Sequence, residues 1–271
     1  MTLSSLNPAL RPLINRLGLR SDPAYPHFIG LGAQKGGTTS LYWYLRQHRQ
    51  VHLPEPKELH YFSLHGDRGD HWYGNCFRHA SPGQVRGEIT PYYLFHPHAA
   101  QRIHALLPQA RLIVLLRDPV ERTLSQYFHA RRLGFEHLPL ADALAREAER
   151  LKGRDTALGT PGAVDTTHQR HSYLSRSRYE EQLPRYQKLF RPDQLLILRS
   201  EDLRDNPEQT LKTVTRFLGL PPIADIQPAT HDNRGRGEAN EVDHIQRSQL
   251  RKTLANTYIW CQEQLRLEWD S

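Results

Sequence analysis

Between His27 and Arg46 the chain reads HFIGLGAQKGGTTSLYWYLR, and no other stretch restricts its fold as strongly. A short apolar run, Phe28, Ile29 and Leu31, leads into Gly32, Lys35, Gly36, Gly37, Thr38 and Thr39, then into helical spacing at Leu41, Tyr42, Trp43 and Leu45. The pattern predicts a strand, a glycine-rich loop and a helix start. The first N–H groups of such a helix lack intrahelical partners and the aligned peptide dipoles put partial positive charge there, so the unit favours an anion. Glycines let the backbone close around a phosphate-like group, and the hydroxyls of Thr38, Thr39 and Ser40 add donors.

The nucleotide-hydrolase loop follows G-x-x-x-x-G-K-[ST]. Aligned on Gly32, the chain has Gly37 in register but Thr38 where the lysine belongs; its lysine, Lys35, comes three residues early. A lysine before the turn approaches the end of a phosphate chain from a different side. The loop therefore reads as a phosphate cradle that is not a Walker loop.

Arg111 to Leu116 (RLIVLL) is a continuous apolar run, the pattern of a parallel strand covered on both faces. Weaker strand signals lie at 51–53, 85–90 and 194–198. Helical spacing covers 97–107, 139–152, 176–190 and 242–265. Asp118, Pro119 and Glu121 form a helix-opening box, and a helix from Asn206-Pro207 is closed by Gly219. Strands alternating with helices predict an α/β protein, a P-loop-like three-layer fold with a central parallel sheet flanked by helices. Residues 1–26 read as an irregular lead-in and 27–271 as one domain. The stretches 63–83 and 153–171 carry little periodicity and are where specificity for a substrate would reside.

The balance of 36 Lys+Arg against 29 Asp+Glu, formally +7, suits an anionic cofactor or polyanionic partner. Cys76 and Cys261 are too far apart in sequence to suggest a disulfide framework or zinc site, and the histidines, including His65, His96 and His98, follow no metal-ligand spacing. No run has signal-peptide or bilayer-spanning character, so a cytoplasmic protein without a transmembrane segment is expected. The expected partner is a small acceptor molecule, not nucleic acid, and oligomeric state is left open.

Arg117 leaves the carboxyl end of the RLIVLL strand, where open α/β sheets bind ligands, and Ser125 follows two turns into the next helix. This is a second candidate anion site; an Arg117–Asp118 surface pair is the plainer reading. Arg234-Gly235-Arg236-Gly237 is a third. Two rivals also fit parts of the pattern: a P-loop kinase with Asp118 as its Walker B acid, and a non-catalytic polyanion-binding protein.

Together these stretches resemble the sulfotransferases that use 3′-phosphoadenylyl sulfate (PAPS), most closely the carbohydrate branch typified by heparan sulfate sulfotransferases. The resemblance implies that Lys35, Gly36, Gly37, Thr38, Thr39 and Ser40 hold the 5′-phosphosulfate and that Arg117 and Ser125 hold the 3′-phosphate. It also implies that Tyr179 and Arg234 to Gly237 touch the cofactor, that the product is 3′,5′-adenosine bisphosphate (PAP), and that no metal is required. The catalytic glutamate of that branch falls on Glu58 within PKELHYF, with His60 as rival base and Lys35 as catalytic cation. The implied acceptor is a hydroxyl or amine of a carbohydrate or glycolipid. Within GEITPYYLF the branch commonly has lysine where this chain has Ile89, which leaves Glu88 as a further possible contact. As a base, Glu58 is expected to need a pKa raised by burial near Tyr61 and Phe62. The plainer reading of Glu58 is a surface ion pair with Lys57, although consecutive residues of a regular element do not face each other well.

Overall fold

The computed structural model describes residues 24–228 and 237–269. Five strands form one sheet: β1 (Phe28–Gly32), β2 (Val51–His52), β3 (Val85–Ile89), β4 (Arg111–Leu116) and β5 (Leu195–Arg199). The order is β2-β3-β1-β4-β5 and every pairing is parallel. The strand at 85–90 ends at Ile89, and the one predicted at 194–198 sits one residue later.

The apolar run of β4 is buried on both sides, as its sequence requires. Leu112, Val114 and Leu116 face one cluster with Ile29 and Leu31, while Ile113 and Leu115 face another with Phe28 and Ile89. The first face is covered by α2 (Ala99–Leu106) and α5 (Tyr179–Gln187), through Ala99, Ile103, Leu183 and Tyr186. The second is covered by α1 (Thr38–Arg46) and α6 (Pro207–Leu218), through Leu41, Leu45, Leu211, Val214 and Leu218. The three layers are thus set by strand periodicity on one side and helix periodicity on the other.

Helix α3 (Pro119–Arg132) opens as its sequence predicts, with the Asp118 carboxylate accepting from the Glu121 N–H at 2.8 Å. It buries Val120, Leu124 and Tyr127. Helix α6 closes on Gly219 at φ 74°. Three long segments come out differently. Residues 139–152 divide into Leu140–Ala145 and Glu147–Leu151. The stretch 153–171 contains Arg154–Ala157 and α4 (Thr166–Arg170), the latter capped by Asp165, whose side chain accepts from the His168 N–H. The C-terminal helix breaks into His244–Thr253, Ala255–Trp260 and a π-helical turn, Cys261–Leu265, with Leu254 buried at the first break. Among the described residues no helix is long and apolar enough to cross a membrane.

β1 lies between β3 and β4, so the chain crosses over on opposite sides of it, and a crevice opens beyond its carboxyl end. Lys35 follows β1 at that edge, Thr90 follows β3, Arg117 follows β4 and Ser200 follows β5.

Candidate active site

The cradle is built where β1 turns into α1. Gly36 is pressed against β4: a Cβ there would come within 2.6 Å of the Leu115 carbonyl oxygen. Gly37, at φ 82°, supplies the left-handed turn that starts the helix. No side chain caps the amino end of α1 and no acidic residue lies in its first turn, which comprises Thr38, Thr39 and Ser40. The positive end of the helix dipole is left without a competing carboxylate.

Lys35 belongs to a cluster of positive charge. Burial, followed by the charges of Arg132, Arg117 and Arg122, lowers its pKa to about 8. The Arg117 guanidinium also donates to the Lys35 carbonyl at 3.4 Å. The elements expected to hold the two ends of an anionic ligand are therefore in direct contact. Ser125 lies half-buried on α3, two turns beyond Arg117.

Tyr179 does not stand in the crevice as a ligand contact. It is fully buried, and its hydroxyl donates to the Arg117 carbonyl at 2.8 Å. The bond fixes the backbone at Arg117. Gly237 precedes the turn at Glu238–Glu241, and Glu238 pairs with Arg132 at 3.2 Å. Arg234, Gly235 and Arg236 lie outside the described residues.

Facing the cradle is the segment 57–60. Glu58 and His60 both adopt positive φ, 66° and 53°, as does Lys35 at 69°. Side-chain residues rarely occupy this region, and such strain concentrates at functional sites. It also overturns the geometric objection to a Lys57–Glu58 pair: on this irregular backbone Lys57 Nζ lies 2.7 Å from Glu58 Oε1 and 3.5 Å from Thr39 Oγ1. His60 Nε2 is 3.5 Å from Glu58 Oε2. The expectation of a raised Glu58 pKa fails for the same reason. Burial pushes it up, but the hydrogen bond from His60 and the charge of Lys57 outweigh that and hold it down at about 2.

Glu88 is withdrawn from the crevice, since it is buried and accepts from the hydroxyls of Tyr73, Thr90 and Tyr93 at 2.6, 2.8 and 3.1 Å. Ile89 packs into the core against Gly30 and presents no group there. Asp118 is committed to capping α3 and accepts from the Tyr258 hydroxyl at 2.7 Å, an arrangement unlike a Walker B carboxylate held open for a cation.

Glu58 and His60 line a cavity of about 270 Å³ together with Gln34, Tyr92, His129, Leu133, Phe135, Gln126, Gln169 and Arg176. Most of these were not singled out in the sequence. The available signal was on α3: Gln126, His129, Ala130 and Leu133 fall at i, i+3, i+4 and i+7, an inward stripe with polar members. Burial, then Lys35 and Arg132, lowers the His129 pKa to about 4, so its ring is neutral. The Tyr92 hydroxyl is 2.7 Å from His168 Nδ1, and His168 Nε2 is 3.3 Å from Asp155, which ties α4 to the cavity wall. Among the described residues no three His, Cys, Asp or Glu side chains converge as a metal site.

A cationic cradle at the switch point of a parallel sheet places the molecule among the P-loop-like α/β proteins. Comparison with known proteins narrows the class: the model of the sulfotransferase domain matches residues 26–266, and the chain belongs to the sulfotransferase family. It is 29% identical over 264 residues to the membrane-associated sulfotransferase kil1 of Dictyostelium discoideum, covering 72% of this chain and 56% of that protein. It is 32% identical over 195 residues to human heparan sulfate glucosamine 3-O-sulfotransferase 3B1, covering 72% of this chain and 46% of that protein. The chain thus spans about half the length of these relatives. The crystal structure of a sulfotransferase from Alicyclobacillus acidocaldarius superposes with a TM-score of 0.72 at 26% identity, covering 91% of this chain and 98% of that one. A mouse sulfotransferase, SULT7A1, solved in complex with PAP, shares the fold at a TM-score of 0.50 and 12% identity, covering 94% of this chain and 89% of that one.

Proposed function

We propose that the protein transfers a sulfuryl group from PAPS to a hydroxyl or amine of a carbohydrate acceptor, with Glu58 as the base. One observation carries this reading: the Lys35 cradle is hydrogen-bonded to Arg117 on one side, and on the other Lys57, paired with Glu58, reaches Thr39 of the same cradle. The residues fit a ligand with anionic groups at both ends, because Lys35 is buried beside the guanidinium charges of Arg132, Arg117 and Arg122, which together lower its pKa to about 8. When bound, PAPS supplies the activated sulfuryl group and a stable bisphosphate leaving group.

Lys35 and the opening N–H groups of α1 neutralise negative charge developing on the leaving oxygen. Arg117 and Ser125 hold the 3′-phosphate. Glu58 takes the acceptor proton. Its carboxylate is ionised throughout the physiological range, always in the accepting form, and its low basicity puts proton transfer late, once the new bond has made the acceptor oxygen acidic. His60 is less suited, because one ring nitrogen faces Glu58 and the other lies 3.2 Å from Ser63 Oγ. It orients Glu58, while Lys57 links that carboxylate to Thr39 of the cradle.

Calorimetric titration with PAP, set against ATP with Mg²⁺, tests the donor assignment. Micromolar or tighter binding of PAP is expected; binding of ATP–Mg²⁺ without PAP overturns the reading in favour of a kinase.

A further inference from the structure

The cavity contains two amide groups whose buried ends are not used by the protein. Gln126 is 3% exposed, and its Oε1 has no hydrogen-bond partner among the described residues. Gln169, in α4, has a buried Nε2 that likewise has none. Both line the same cavity as Glu58 and His60. Buried polar atoms in folded proteins are nearly always paired, since an unpaired one forfeits its bonds to water. Here the unpaired atoms are one acceptor and one donor. The two ends of an amide exchange by rotation, so either glutamine can take either part.

One neighbouring cation is already engaged. The Arg176 guanidinium donates to Gln34 Oε1, to Ser172 Oγ and to the carbonyls of His168 and Gln169, and it lies over the Tyr92 and Phe95 rings. Recognition at that wall falls to Gln169. The remaining lining combines His129 and Arg170, whose guanidinium lies over the Phe135 ring, with the apolar side chains of Ala130 and Leu133; Leu133, at the end of α3, is 51% exposed.

We propose that Gln126 and Gln169 select the acceptor as a saturated polyol ring. Each amide bonds a hydroxyl beside the one that is sulfated, and the C–H face of the ring lies against Leu133, the Phe135 ring being covered by Arg170. This rests on the sulfotransferase reading of the cavity and extends it to the residues that choose the acceptor. A sugar hydroxyl both donates and accepts, so two neighbouring hydroxyls satisfy both amides. A phenol or simple alcohol offers only the reacting oxygen and leaves both unpaired, and sites built to bond a hydroxyl reject analogues lacking it.

The test uses PAP-loaded protein for binding and PAPS for turnover. The probes are a panel of methyl hexopyranosides, with 4-nitrophenol and cyclohexylmethanol as single-hydroxyl controls. At least one glycoside is expected to bind and accept sulfate in preference to both controls. Gln126→Leu and Gln169→Leu should each raise its KM about tenfold or more, with PAP affinity unchanged. Gln126→Met, closer in shape, guards against misfolding, and PAP affinity and the thermal midpoint report the fold. A deoxy glycoside lacking one neighbouring hydroxyl should lose the same factor with the native protein and nothing further with the matching variant. The proposal is overturned if PAP-binding variants keep the native KM, if a control is preferred, or if no glycoside binds. Loss of PAP binding by the native protein instead removes the parent reading, and this one with it.

Discussion

Lys57 Nζ lies 2.7 Å from Glu58 Oε1 although the two residues are consecutive, because the positive φ of Glu58 turns its side chain back toward its neighbour. The pair keeps the carboxylate charged and tied to the cradle. Glu58→Gln is expected to lower kcat by about 10²–10⁴-fold with PAP affinity within twofold of the native value. With the carboxyl pKa held at about 2, the rate should show no rising limb between pH 5 and 8. A limb near the ordinary histidine value of about 6.5 would transfer the base role to an imidazole.

The Lys35 pKa of about 8 makes ligand binding proton-linked. In the ligand-free protein Lys35 loses its proton as pH rises through that value; a bound anion favours the charged form and raises the pKa again. PAP binding should therefore take up protons at pH 8.5 and far fewer at pH 6.5. Calorimetry in two buffers of different ionisation enthalpy measures the uptake, and Lys35→Met should abolish it. Equal proton counts at both pH values would remove Lys35 from the anion site.

Tyr179 meets the cradle side of the molecule through the Arg117 carbonyl, to which its hydroxyl donates. Tyr179→Phe removes one buried hydrogen bond, worth about 0.5–1.5 kcal/mol, so PAP affinity should fall by about two- to tenfold. Arg117→Ala should cost more, since it deletes the cation itself. Equal losses in the two variants would indicate that the phenol touches the ligand directly.

Glu136 is an acid-sensitive support beneath the cavity wall. Its side chain is 2% exposed and accepts from Arg150, Tyr173 and the N–H groups of His137 and Leu138. Burial pushes its pKa up, but Arg150 and these bonds hold it at about 2, against an ordinary 4.5. A depressed carboxyl contributes stability above its unfolded pKa and loses it as pH falls through the folded one. The native protein should thus lose stability from pH 4.5 down toward 2. Glu136→Gln should flatten that limb and lower stability at pH 7 by about 3 kcal/mol, because Arg150 is left without its partner. Urea titrations at several pH values measure both.

Local chemistry made much of the molecule legible in the sequence. The His27–Arg46 unit shows its strand, turn and helix start because glycine placement and apolar spacing act within a few residues. Leu112 to Leu116 announce a strand buried on both faces because alternate side chains point to opposite layers. Asp118 and Gly219 mark helix ends because capping involves atoms no more than a turn away. The same sequence carried the order and spacing of motifs that led to the sulfotransferase family.

Tertiary structure alone decided what depends on groups brought together from afar. It moved Tyr179 from ligand contact to support, since its partner is the backbone of Arg117, 62 residues away. It lowered the Glu58 pKa where burial by itself would have raised it, and it assembled a cavity from Gln34, Gln126, Gln169 and Arg176, which lie on separate elements. Hydrogen bonding and electrostatics act through space, and which distant side chains share that space is set only when the layers pack.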